Sequence, residues 1–156
     1  MSEDNTEDTA VRFVVVIGAV LVAILCGVIW GCQAILTGYE LGFLAWAVGG
    51  LCGVGVVFFS KGEKAISFQV ISVCSSIIGI TIGKYIIFYD SVAKLFKEEY
   101  GAEAANDVSI FSIDLMRVFI ENIGTTLGGL DIVWVILALI TAWTIPKGMR
   151  FKKRSS

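Results

Sequence analysis

The sequence predicts an all-α membrane bundle of four helices, and three observations carry that prediction. Four apolar runs, Phe13–Leu36, Leu41–Phe59, Ala65–Tyr89 and Ile132–Ile145, dominate the chain. Charged residues fall almost wholly between the runs. They make up 17% of the chain, below the quarter usual for soluble domains, whereas 56% of it is hydrophobic. A helix rising about 1.5 Å per residue needs ~20 apolar residues to cross a hydrocarbon core of ~30 Å. The first three runs meet that length. A soluble domain of 156 residues has room to bury one such helix, but not three. The expected organisation is therefore an acidic tail (1–12), one transmembrane bundle domain (13–146) and a basic tail (147–156), both tails loosely attached.

The first span, 13–36, follows an acidic start, MSEDNTEDTA, where a signal sequence would carry Lys or Arg, and it is about twice as long as a signal-peptide core. A retained signal-anchor helix is expected. The second and third spans, 41–59 and 65–89, are uninterrupted. The fourth, about 131–146, is short: its apolar run reaches only ~22 Å as a helix. Either it continues through Phe151 with Lys147 and Arg150 snorkelling, or it begins near Leu127 and takes Asp131 into the membrane. A helix passing Pro146, the only proline, is expected to kink there.

Charge bias sets the expected orientation, because Lys and Arg collect on cytoplasmic flanks while acids contribute little. Lys61 and Lys64 lie between spans two and three, and Lys147, Arg150, Lys152, Lys153 and Arg154 follow span four. The turn after span one has no basic residue and carries Glu40, and the long loop after span three is acid-rich. Four spans put every basic flank on one side, so both termini are expected in the cytoplasm. Trp30, Trp46 and Trp134 then fall near the outer boundary and Trp143 near the inner one, as in an aromatic belt.

Lipid tails are as apolar as leucine, so helices in a bilayer associate through small residues at four-residue spacing. Span one offers Gly27 and Gly31, continued by Ala34. Span two offers Ala45, Gly49 and Gly53, and span three Ser75, Gly79 and Gly83, with Ser72 and Ser76 beside them. These stripes predict packing within the bundle, or a homo-oligomer contact if one is left over. Span four has only Ala138 and Ala142 and is expected at the periphery.

The outer loop, 91–130, contains no proline and an amphipathic segment at about 107–123. There Asp107, Asp114 and Glu121 recur every seven residues, Arg117 is spaced to pair with Asp114 and Glu121, and apolar residues fill the remainder. A helix lying on the membrane or capping the bundle is expected, offering a partner surface or simply a cover. Before it, Ser91–Tyr100 extends the third span, with Lys94 facing Glu98.

The chemistry in the sequence is sparse. The chain has no histidine, which removes imidazole catalysis and His metal ligation. Cys26, Cys32, Cys52 and Cys74 lie within spans without C-x-x-C spacing, so packing is expected of them rather than zinc or redox chemistry. No phosphate-binding Gly-rich loop or nucleophile elbow occurs, and no nucleic-acid surface apart from the tail. No catalytic residue, cofactor or metal site is expected. Gln33 and Gln69, the other polar groups within spans, lie at opposite depths. Lys84 stands apart, since it lies inside span three some six residues before Asp90. An ionisable group in a span marks a candidate site. It either snorkels, forms a structural ion pair, or lines a polar vestibule, with Glu40 and Asp131 as candidate counter-ions.

The strings TGYELGFLAWAVGG (37–50) and LDIVW (130–134), with Ala138 and TAW (141–143), resemble small uncharacterised bacterial four-helix integral membrane proteins. That resemblance implies a bacterial inner-membrane location and no activity. The expected role is a non-enzymatic structural or interaction subunit, its partners membrane lipids and a membrane protein or second copy. The alternative is a small ion or solute channel or transporter component with Lys84, Glu40 and Asp131 at its outer mouth.

Overall fold

A computed structural model describes residues 3–61, 65–101 and 108–148, with the side chains of 3–8 left aside. Lys64, Asp107, Arg150, Lys152, Lys153 and Arg154, which figure in the charge and loop patterns above, lie outside these residues. The described residues form helices and no strand. In chain order the helices are α1 (Glu3–Thr37), α2 (Phe43–Phe59), α3 (Ile66–Tyr100), α4 (Ile113–Glu121), α5 (Ile123–Thr126) and α6 (Gly129–Gly148).

Three of them, α1, α3 and α6, are long and apolar enough to cross a membrane. The second run, expected to span by itself, gives a helix of only 17 residues, because α2 begins after Gly42 and ends at Phe59. The fourth run, expected to be short, forms a helix of 20 residues that takes in Asp131 at its start and Pro146 near its end. Proline disfavours a helix through its missing N–H and its clash one turn back; among the described residues two helical positions, Lys147 and Gly148, follow it. At the other end of the chain, α1 runs back to Glu3 where a loose tail was expected. The sequence has no Gly or Pro between Glu3 and Ile17 to stop it. Helix α3 is likewise continuous through Tyr100, 35 residues or about 52 Å, and ends at Gly101 with a positive φ of 91°.

Close approaches of small residues show how the helices run. Gly79 lies against Ala23 and Gly27, Gly83 against Trp30, and Gly31 against Ile86, so α1 and α3 are parallel. Gly42 lies against Trp134, Gly49 against Ala138 and Gly53 against Ile145, so α2 and α6 are parallel as well. Contacts of Gly18 with Phe59 and of Gly55 with Val22 make α1 and α2 antiparallel. All the glycines expected to pack, Gly27, Gly31, Gly49, Gly53, Gly79 and Gly83, therefore face a neighbouring helix of the same chain, and Ser75 is buried with Ser72 and Ser76. A Cβ added at Gly79 would lie 2.8 Å from the Ala23 carbonyl oxygen and 2.9 Å from Val48. Backbone contact this close is what small residues permit.

The core is correspondingly fine-grained. One cluster gathers Ala23, Trp30, Ala45, Val48, Cys52, Ile80 and Ala138; a second, near the start of α1, gathers Val15, Ala19, Val56 and Phe68. Expected at the periphery, α6 is the least buried of the three long apolar helices. Its Ala138 and Ala142 are nonetheless fully enclosed, and Trp46 Nε1 on α2 donates to Thr141 Oγ1 at 2.8 Å. The cysteines divide. Cys52 is buried and Cys26 half-buried, whereas Cys32 and Cys74 are exposed on the outer faces of α1 and α3 and lie outside the core.

Candidate functional site

Lys84 begins as a cost. A lysine ammonium carries three donors, and a low-dielectric interior does not replace the water that would receive them. Helix α3 nevertheless places it 3% exposed. Its neighbour Gly83 has no side chain, so the Trp30 ring of α1 closes over this turn, and a Cβ at Gly83 would run into that ring. Trp30 is 2% exposed, and Lys84 Nζ stands 6.0 Å from its ring centroid, at the outer limit of a cation–π contact.

The ammonium is compensated by groups from two other places in the chain. It donates to Asp131 Oδ2 in the first turn of α6 at 2.7 Å and is paired with Glu40 in the α1–α2 turn. A longer contact of 3.5 Å reaches the Thr126 carbonyl oxygen at the end of α5. Each partner is itself held. The Gly128 amide donates back to Asp131 Oδ2 at 3.0 Å, while the Gly128 carbonyl accepts from the Asp131 amide at 2.9 Å. This is the carboxylate half of a capping box, with the acid three residues into the helix. Glu40 follows a turn closed by Gly38, whose φ of 70° is the left-handed conformation glycine favours and whose amide bonds the Ala34 carbonyl. Gly42 lets α2 start close to α6: a Cβ there would lie 2.6 Å from Trp134 Cδ1 and 3.3 Å from Asp131 Oδ1.

Lys84, Glu40 and Asp131, named from sequence, thus form one cluster tying α3 to the α1–α2 turn and to α6. No family model, curated protein or solved structure matches the chain. The chemistry of the cluster therefore rests on its own charges. One ammonium and two carboxylates leave a net charge of −1, with the carboxylate side chains 30% and 20% exposed and the lysine enclosed.

Over the cluster lies the outer segment, shorter than expected. Helix α4 starts at Ile113 instead of 107, because Ser112 caps it by accepting from the Leu115 amide. Leu115 and Phe119, one turn apart, face inward, and Phe119 packs edge-on against Tyr85 and at a tilt against Phe88 of α3. Arg117 pairs with neither Asp114 nor Glu121, and no ion pair of Arg117 occurs among the described residues. Lys94 also chooses differently, bonding Asp90 at 2.6 Å one turn back instead of Glu98.

Several determinants escaped the sequence reading. Tyr85 and Tyr89, one turn apart on α3, donate to the carbonyl oxygens of Ile110 at 2.5 Å and Val108 at 3.2 Å and so pin the start of the outer segment. The i, i+4 tyrosine pair was a usable signal, as was the glycine three residues before Asp131. Trp30 as the wall beside Lys84 had none, because contact between those residues depends on the α1–α3 register.

Between α3, α4–α5 and α6 a cavity of about 180 Å³ opens beneath the lysine. It is lined by Ile77, Ile80, Phe119, Leu127 and Val135, with the Lys84 side chain at one end. Gln33, at a similar level on α1, bonds Thr37 Oγ1 at 3.0 Å and does not join the cluster.

Proposed function

We propose that the chain is a non-enzymatic integral membrane protein that crosses the bilayer four times, with both termini cytoplasmic, and serves as a structural or interaction subunit. The observation that carries this reading is Lys84. Its ammonium is held by carboxylates from two other parts of the chain, and the cavity beneath it is lined almost wholly by apolar side chains. Such a cluster fastens helix ends. The alternating helix directions support four crossings: Lys61 and Lys147 stand at one end, Glu40, Asp90 and Asp131 at the other. Rows of exposed apolar residues, such as Leu21, Leu25 and Ile29 on α1, suit lipid. Helix α2, at ~26 Å, crosses with the help of its flanking turns.

The interaction surface in this reading is α4. Its inward residues hold it on α3, while Ile113, Met116 and Ile120 stay exposed beside them and Asp114, Arg117 and Glu121 form its polar face. Photo-crosslinkers at Met116 and Ile120, followed by purification in mild detergent, test it. A single crosslinked protein or a second copy of the chain supports the role, whereas crosslinks to lipid alone refute it. Cysteine substitution at Asn106 should react with a membrane-impermeant maleimide from outside intact cells; labelling from the cytoplasm alone overturns the orientation. A transporter component is the second reading, favoured by the unbalanced carboxylate at Lys84. Reconstituted vesicles that pass no ions, with or without Lys84→Met, refute it.

A further inference from the structure

We propose that the groove between α1 and α2 binds a hydroxyl-bearing hydrocarbon, its hydroxyl bridging Trp30 and Gln33 and its chain lying along the two helices. Two unpaired polar atoms carry the argument. Trp30 is 2% exposed, and its Nε1, although buried, donates to no acceptor among the described residues. The ring meets α3 through Cε3 and Cζ3, over Gly83, so Nε1 lies on the indole edge turned away from that contact. Three residues on, Gln33 Oε1 is buried and accepts from no donor among the described residues. Its neighbour fixes the orientation of this amide. Thr37 Oγ1 gives its hydrogen to the Gln33 carbonyl oxygen at 2.9 Å, so toward the amide it acts as acceptor, and Gln33 Nε2 donates to it at 3.0 Å. Oε1 is therefore left over. Buried polar groups are nearly always hydrogen-bonded, so each of these two atoms calls for a partner.

Both residues line one cavity of about 180 Å³. Cys26, Trp30 and Gln33 share a face of α1, and Leu44, Ala47 and Leu51 form the facing side of α2. No charged side chain lines this cavity, so an ionic head entering it would find no counter-charge. An indole N–H needs an acceptor and an amide oxygen needs a donor. A hydroxyl is both on one atom. Apart from Trp30 Nε1 and the Gln33 amide the lining is hydrocarbon, aromatic and thiol. Cys26 lies seven residues from Gln33, ~10 Å farther from the Glu40 end of α1. The chain of the ligand therefore runs toward Cys26 and Leu51, and its hydroxyl stays nearer the helix end, as head and chain are ordered in a bilayer. Ile29 and Leu51, both exposed, bring the cavity to the outward face of the helix pair, where lipid chains would stand. Such a pocket binds through apolar burial and takes its specificity from a few polar groups. The ligand can come from the bilayer, as a diacylglycerol, or from outside it, as a free long-chain alcohol. The inference does not depend on whether α4 has a protein partner.

The test uses the full chain in phosphatidylcholine nanodiscs and a decanol probe carrying a diazirine at the chain end, with sites read by mass spectrometry. Labelling should concentrate on Cys26, Ile29 and Leu51. Gln33→Leu should reduce it about fivefold, the scale of one neutral hydrogen bond. Ala47→Phe, which fills the cavity and leaves both polar groups in place, should abolish it while the protein keeps its elution volume. In the protein labelled with nitrogen-15 at tryptophan, unlabelled decanol should shift the Trp30 indole N–H signal. The Trp46 signal should stay in place, since that N–H already donates to Thr141. Competition by added diacylglycerol would assign the ligand to the bilayer, and its absence to a free alcohol. A Trp30 signal that decanol leaves unmoved overturns the proposal, as does equal labelling by a decane or a decanoate analogue. So does labelling spread over the outward residues Leu21 and Leu25, or full labelling in either variant.

Discussion

Replacing Lys84 by methionine keeps the length of the side chain and removes its charge, leaving Glu40 and Asp131 facing one another without a cation. Removing one partner of a fully buried pair costs about 3–5 kcal/mol because a charge is left uncompensated. Here the stranded carboxylates are 30% and 20% exposed, so water recovers part of that cost and about 2–3 kcal/mol is expected. At roughly 2–4 °C per kcal/mol for a chain of this size, the midpoint should fall by about 4–12 °C. Thermal unfolding in mild detergent, followed by tryptophan fluorescence, measures it. The decisive quantity is the coupling in a double-mutant cycle of Lys84→Met with Asp131→Asn. Asp131 also caps α6 through the Gly128 amide, so the single Asn variant loses more than the pair. The cycle removes that extra loss and isolates the pair. A coupling of about 1.5 kcal/mol or more is expected. A value under ~0.5 kcal/mol would mean that the three charges sit together without fastening anything, and the clasp reading would be wrong.

Three further outcomes follow from the packing. Gly79→Val should separate α1 from α3, since even its Cβ would lie 2.8 Å from the Ala23 carbonyl; the yield of monodisperse protein should collapse, while Gly124→Val, with open space around it, should leave it unchanged. Tyr85→Phe combined with Tyr89→Phe should free residues 108–112 without unfolding the helices, read as faster amide exchange and proteolysis in that stretch at a midpoint shifted by under about 2 °C. A lipid-soluble maleimide should modify Cys32 and Cys74 readily and Cys52 only after denaturation, reflecting their burial; equal rates would contradict the helix rotations.

The helices were legible because they are written in runs, and their contacts because glycine spacing leaves few alternatives. The Gly27, Gly79 and Gly83 stripes needed only one another. Lys84 was equally legible, since a charge inside an apolar run must find a partner, and Glu40 and Asp131 were the acids at its level. Lengths were harder. Whether Gly42 or Gly129 starts a helix turns on local capping, so α2 came out shorter and α6 longer than their apolar runs suggested. In the outer segment Arg117 and Lys94 each had two acids within reach on their own helix, and spacing cannot choose between them. Ser112 as a cap decides where α4 begins, and that hydroxyl was hidden among apolar neighbours.

Asp131 belongs to α6, the last helix in chain order among the described residues. Helices α1, α2 and α3 are synthesised before it, so of the two carboxylates Glu40 alone at first accompanies Lys84. The tyrosines that hold residues 108–110 are only 19 and 25 positions upstream of their acceptors, so the outer segment can settle on α3 before α6 exists. During synthesis the chain therefore passes through a stage in which the cluster is charge-neutral, with one lysine and one glutamate. The arrival of α6 brings the second carboxylate and turns a balanced pair into a negatively charged site. The three-charge cluster therefore exists only in chains synthesised through α6.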